Sequence, residues 1–349
     1  MPLFSSLLAT GLLAMVQPGT PTLPEALTPL GRTVGGHDSP LQVGWPASGF
    51  AFETRARRVV MTVQDSGANM FDVMVDGTWS EVALRPGVHD YTLFEASEPR
   101  DVRIEVRRKT ESFEGGLTTI LGVESDGEVR PAALPDRRIL FVGDSITAGY
   151  GTLGADASCG YSKETSAPQL AFSGRTAKAL EADYHLVAIS GRGAVFNYGD
   201  DPRPNMPAHL TLALPDTPVY WDPKRWTPQV VVVNLGTNDH STWDPEASFV
   251  GNYTGLLVDL RAQYPDAKIV TVTGPFASED AVERIVAGVA EARARAEALG
   301  VKTATVHLSL ADEGRVYGCD GHPGTDSTRV MADGLVPVIE AETGWSAGP

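Results

Sequence analysis

Two rhythms of apolar and polar positions divide the chain. From about Gly35 to Val129, apolar residues alternate with polar ones in short runs, such as Phe71, Val73 and Val75 ahead of the Asp76-Gly77 turn, or Val102, Ile104 and Val106 between charged neighbours. A period of two belongs to strands with one buried and one wet face, so this stretch predicts a small antiparallel β-sandwich of jelly-roll type. Beyond the proline-containing joint at 131–135 the runs become nearly continuous: Ile139–Val142, Leu186–Ile189, Val230–Leu235, Ile269–Val272 and Thr303–Leu308. Such runs suit a parallel sheet covered on both faces, and helical spacing fills the gaps between them. The clearest helix spans Glu279–Leu299, with Ser278 as N-cap, Val282, Ile285, Val286 and Val289 on one face, and Gly300 as its stop. The expectation is a β-sandwich over 33–130 followed by an α/β domain over 136–349, with no internal repeat.

Residues 1–32 fit neither rhythm. Leu7–Val16 has the length of a signal-peptide core, although Met1–Ser6 carries no Lys or Arg, and the stretch from Pro18 to Pro29 reads as a linker. The expectation is a secreted or periplasmic protein. No apolar run reaches the roughly 18 to 20 residues that span a bilayer, so no stable membrane insertion is expected.

Charge narrows the partners. With 28 basic and 44 acidic residues the net charge is −16, which disfavours nucleic acid and anionic membrane surfaces and favours a neutral or cationic partner. Two cysteines exclude a disulfide-dense scaffold and a four-cysteine metal cluster, and no His-Glu-x-x-His pattern is present, so no metal is expected. Cys159 and Cys319 either form one bridge joining two loops or stay as separate buried thiols; spacing alone leaves both open.

Four polar blocks carry the candidate chemistry. Gly143-Asp144-Ser145-Ile146-Thr147 stands where the first α/β strand ends, the usual place for a ligand site in such sheets. A helix starting at Ser145 would point free N–H groups toward an oxyanion forming beside the hydroxyl, whereas a purely structural reading makes Asp144 and Ser145 helix caps. Ile189-Ser190-Gly191-Arg192-Gly193 follows the second strand and Gly236-Thr237-Asn238-Asp239 the third, so the three blocks emerge at one sheet edge. The Gly191 N–H and the Asn238 amide are suitable oxyanion donors with the Ser145 N–H. Asp320-Gly321-His322-Pro323 supplies a base: the imidazole takes the serine proton and returns it to the leaving alcohol, and Asp320 is placed to orient the ring. His240 lies in the wrong place in this order to be the base. Trp221, Trp226 and Trp243 suit packing as well as stacking on a sugar, and Trp243, just beyond Asn238, is the substrate-binding candidate.

Together the four blocks resemble the SGNH hydrolase superfamily, whose Ser, Gly, Asn and His correspond to Ser145, Gly191, Asn238 and His322. The resemblance runs from about Arg138 to Glu342 and implies a three-layer α/β/α fold. A jelly roll joined to Gly-Asp-Ser-Ile-Thr-Ala-Gly-Tyr-Gly resembles carbohydrate esterase family 2, as do, more loosely, Trp45–Phe50 and Arg107–Glu111. That resemblance implies removal of acetyl groups from carbohydrate through an acyl-enzyme on Ser145, without a cofactor. In some members a backbone carbonyl replaces the orienting acid, which would make Asp320 dispensable. The rivals are a lipase, lysophospholipase, arylesterase or O-acyltransferase using the same residues, and a non-catalytic carbohydrate-binding protein.

Overall fold

The computed structural model describes Leu23 and residues 26–36, 39–242, 245–274, 276–310 and 316–348. The signal-like segment and Trp243 therefore lie outside the described residues.

The front half is one antiparallel sheet of nine strands: β1 (Thr28–Leu30), β2 (Val34–Gly36), β3 (Ser39–Val43), β4 (Gly49–Asp65), β5 (Met70–Val75), β6 (Thr78–Ala83), β7 (Gly87–Arg108), β8 (Thr118–Ser125) and β9 (Val129–Pro131). Its order is β2-β3-β8-β4-β7-β5-β6, with β1 and β9 also pairing with β4. Register shifts at Ala56/Arg58 and Val59/Val60 interrupt the long β4–β7 ladder, and such shifts bend a ribbon and sharpen its twist. The sheet thereby folds over a core in which Val43, Phe50, Phe52, Met61, Phe71 and Ile104 meet. The alternation at Val102, Ile104 and Val106 is the inward side of β7.

Two boundaries differ from the sequence reading. β1 falls inside the expected linker 1–32 and pairs with β4; a three-residue strand is too short to display alternation, and Pro29 is tolerated because β1 is an edge strand. At the other end β9 carries the domain to Pro131.

The second half is a parallel sheet of five strands, β10 (Arg137–Gly143), β11 (Ala182–Ala188), β12 (Val230–Asn234), β13 (Lys268–Thr273) and β14 (Thr303–His307), in the order β11-β10-β12-β13-β14. Besides α1 (Ser112–Gly115) in the front domain, the helices are α2 (Ser145–Ala148), α3 (Phe172–Ala179), α4 (Met206–His209), α5 (Glu246–Gln263), α6 (Glu279–Ala298) and α7 (Thr325–Thr343). Leu140, Val142, Val231 and Val233 face the α5 and α6 side. Their neighbours Ile139, Phe141, Val230 and Val232 face α3 and α7. Burial on both faces explains why these strands read as unbroken apolar runs. The α6 face turns toward the smaller residues: Ala281, Ile285, Val289, Ala292 and Ala296 are buried, while Val282 and Val286 are only half-buried.

The two domains are fastened by side chains that cross between them. Trp45 leaves the sandwich and joins the α/β core, fully buried, donating its indole N–H to Ala213 O at 3.0 Å. Arg32, also buried, donates to Leu210 O and Leu212 O, each at 2.7 Å. Ser166 and Lys163 donate in the opposite direction, to Lys109 O and Gly67 O at 2.9 Å each.

Candidate active site

The strand order reverses between β10 and β12, and the crevice beyond the carboxyl ends of two such strands is where doubly wound sheets bind ligands. The turn from β10 into α2 is tight. A side chain at Gly143 would meet Thr147 Oγ1 at 2.0 Å and Asn234 O at 2.9 Å, so glycine alone lets the chain turn there. Asp144 caps α2, accepting from the Ile146 N–H at 3.0 Å, and Ser145 is its first residue. His322 Nε2 lies 2.8 Å from Ser145 Oγ across 177 residues of chain. The other ring nitrogen, Nδ1, faces Cys319 O at 3.3 Å.

Asp320 stands elsewhere than expected. Its carboxylate accepts from Tyr150 Oη at 2.8 Å and from the Tyr161 N–H at 2.9 Å, and no hydrogen bond joins it to the imidazole. The backbone is the reason: Asp320 has φ 52, a left-handed turn that directs its side chain toward the tyrosines. The acceptor at Nδ1 is the Cys319 carbonyl, and the loop supplying it is tied by a Cys159–Cys319 disulfide with Cα atoms 4.6 Å apart. Cys319 N–H also donates to Gly151 O at 3.0 Å, and Asp320 N–H to Cys159 O at 2.8 Å. Tyr150 lies against the imidazole, ring centres 4.2 Å apart, and stacks in turn on Tyr161.

The blocks after β11 and β12 are interlaced with the first. Asn238 Nδ2 donates to Asp144 Oδ2 at 3.1 Å and to Arg192 O at 3.0 Å. The Asn238 amide is thus already engaged, so aiding an oxyanion requires it to share or exchange one of these partners. Asp239 accepts the N–H groups of Ala194, Val195 and Phe196 at 2.9, 2.7 and 3.0 Å, holding the loop that follows Gly191. Among the described residues no acceptor takes up the Gly191 or Ser145 N–H.

Electrostatics follow burial. His322 titrates below the ordinary 6.5 because desolvation outweighs the nearby Cys319 and Asp320 acceptors. Burial pushes the Asp144 carboxyl up to about 7 in spite of its bond from Ile146, with Asp239 adding to the rise. Tyr198, Thr237, Asn238, Ser241 and Phe276 border a cavity of about 330 Å³ whose floor is Ser145 and His322. His240 also borders it, with Nδ1 on Gly236 O at 2.9 Å and its ring edge-on to Phe249. Trp221 and Trp226 lie away from this cavity, packed around His185. Sequence reading overlooked Tyr150, visible in the Ala-Gly-Tyr-Gly run, and the structural work of Asp239.

A doubly wound α/β domain with a hydrogen-bonded serine and histidine at its switch point, behind an antiparallel sandwich, defines an acyl hydrolase of the SGNH type. The model of the GDSL-like lipase/acylhydrolase family matches residues 141–328, and the carbohydrate esterase 2 N-terminal model matches residues 30–135. An acetylxylan esterase / glucomannan deacetylase of Cellvibrio japonicus is 30% identical over 321 residues, covering 86% of this chain and 85% of the relative. The cellulase/esterase CelE of Acetivibrio thermocellus is 30% identical over 319 residues, 86% of this chain, which spans only 38% of that longer protein. A family two carbohydrate esterase from Clostridium thermocellum in complex with cellohexaose has a TM-score of 0.86 at 28% identity, covering 92% of this chain and 100% of that one. A family two carbohydrate esterase from Cellvibrio japonicus has a TM-score of 0.84 at 25% identity, covering 92% and 96%. The chain belongs to the GDSL-like lipase/acylhydrolase family, and its front domain is of the carbohydrate esterase 2 type.

Proposed function

We propose that this protein removes acetyl groups from carbohydrate by acyl transfer through Ser145. The observation that carries the reading is the 2.8 Å contact between His322 Nε2 and Ser145 Oγ at the floor of the cavity. In the reaction, the imidazole takes the hydroxyl proton as Oγ attacks the acetyl carbonyl, then delivers it to the departing sugar oxygen. Water, deprotonated by the same ring, attacks the acyl-enzyme and releases acetate. The Ser145 and Gly191 N–H groups receive the oxyanion, and Asn238 joins them by turning one amide hydrogen from Asp144 or Arg192. Cys319 O takes the role of holding the imidazole tautomer that Asp320 was expected to fill. The carbohydrate substrate is inferred from the relatives, an acetylxylan esterase / glucomannan deacetylase of Cellvibrio japonicus among them. A chain of net charge −16 suits a neutral polysaccharide, and export to meet it accords with the signal-like start.

Acetate release from acetylated xylan and from a small acetyl ester, wild type against Ser145→Ala, tests the reading. Both activities should fall by at least about 1,000-fold in a folded variant. Activity that survives the substitution rules out Ser145 as nucleophile, and a wild type active on the small ester alone rules out the xylan assignment.

A further inference from the structure

The loop that presents the Gly191 N–H is held from the other domain. Glu111, which follows β7 in the sandwich, is 1% exposed, and its carboxylate grips Ser190 twice: Oε2 accepts the Ser190 N–H at 2.7 Å and Oε1 accepts the Ser190 hydroxyl at 2.6 Å. Glu111 is itself pinned. Arg108, fully buried, donates to the carbonyls of Thr110, Glu111 and Gly116 at 2.9, 3.0 and 2.7 Å, fixing the segment that carries the carboxylate.

Ser190 and Gly191 are the central residues of a β-turn closed by the Arg192 N–H on Ile189 O at 3.2 Å. With Gly191 at φ +78, the turn has the backbone of type II. Types I and II differ chiefly by a flip of the central peptide, and that peptide carries the Gly191 N–H. The flip therefore decides which way this donor points. Two anchors hold the peptide: Glu111 before it, on Ser190, and after it the Tyr198 N–H, which donates to Gly191 O at 2.8 Å.

We propose that Glu111 is a positioning residue through which the β-sandwich sets the orientation of the Gly191 oxyanion donor. This rests on the reading of Ser145 as the nucleophile. It gives the front domain a part in the chemistry of the acyl-transfer step, separate from any contact with carbohydrate. Burial lifts the Glu111 carboxyl to about 7, the two Ser190 bonds opposing the rise. Burying a carboxyl group is costly, and the two bonds from Ser190 offset part of that cost.

The test is steady-state hydrolysis of a small acetyl ester, which reaches the acyl site without an extended sugar, by wild type, Glu111→Ala, Glu111→Gln and Ser190→Ala, each checked by thermal melting. Glu111→Ala should lower kcat about 10- to 100-fold, a loss smaller than or similar to removal of one oxyanion donor. KM should stay within about threefold, because the interaction is made in the transition state. Glu111→Gln keeps an acceptor for the Ser190 N–H and a donor for its hydroxyl, and should recover most of the rate. Ser190→Ala, which loses one of the two bonds, should fall between Glu111→Ala and wild type. A folded Glu111→Ala with wild-type kcat overturns the proposal, as does a loss confined to KM. If Glu111→Ala does not fold, Ser190→Ala and Glu111→Gln decide: wild-type kcat in Ser190→Ala overturns it. An inactive wild type instead removes the esterase reading on which the proposal stands, so the two failures are distinguishable.

Discussion

At the scale of single residues, the dominant pressure on the site is desolvation, and it acts oppositely on the base and the acids. Burial disfavours the charged form, so it lowers His322 and raises Asp144 and Glu111, the latter two to about 7. For His322 the sign is that of a base with a depressed folded value: the folded state resists protonation, and the stability held by the neutral ring is lost as pH falls below 6.5. With His322 as the proposed base, the acid limb of kcat/KM should lie below pH 6.5. The Asp320 charge raises the His322 value without touching the ring, which makes Asp320→Asn informative. That variant should move the acid limb to still lower pH and cost less than about tenfold in kcat, well short of the roughly 10⁴-fold loss of an acid that orients a triad histidine. A loss near the larger figure in a pH–rate profile would return the carboxylate to the ring. Ser145, Gly191, Asn238 and His322 were legible as candidates from four short blocks in one order. Which acceptor faces Nδ1 was not, because it depends on a single left-handed residue, Asp320, and a carbonyl leaves no mark in a sequence.

At the scale of elements, the histidine loop and the loop after α2 are fastened to each other rather than to the sheet. The Cys159–Cys319 bond closes 160 residues of chain, and beside it backbone bonds join Cys319 to Gly151 and Asp320 to Cys159. Replacing both cysteines by alanine should cost about 2–5 kcal/mol in chemical denaturation. It should also lower kcat more than KM, because the carbonyl that steadies the imidazole belongs to Cys319 itself. Unchanged kcat in the double variant would mean that the backbone bonds suffice. The parallel strands were readable because burial on both faces leaves only apolar residues, and α6 because Ser278 and Gly300 punctuate it. Strand β1 was not, since three residues with a proline carry no period. The bridge itself was open because proximity across 160 positions is a property of the fold.

At the scale of the whole molecule, the sequence showed two unlike domains but not how far they interpenetrate, because an inward tryptophan looks the same whichever core it enters. Trp45 is carried by the sandwich and buried in the α/β core. Trp45→Ala should therefore destabilise the protein by about 3–5 kcal/mol and leave the Ala213 carbonyl without its donor. Thermal unfolding should show one cooperative transition, shifted downward. Two separated transitions, with only the sandwich affected, would contradict the shared core.

The traffic across the 131–135 joint has a consequence for heredity. Arg32, Trp45 and Glu111 each act on partners that lie more than 75 residues further along the chain. A recombination event cutting neatly at the prolines would hand a new hydrolase neither the plug for its core nor the carboxylate for its turn. Chimeras between distant relatives should fold and work only when these three side chains and their receptors travel together, so the joint looks like a seam but does not part cleanly.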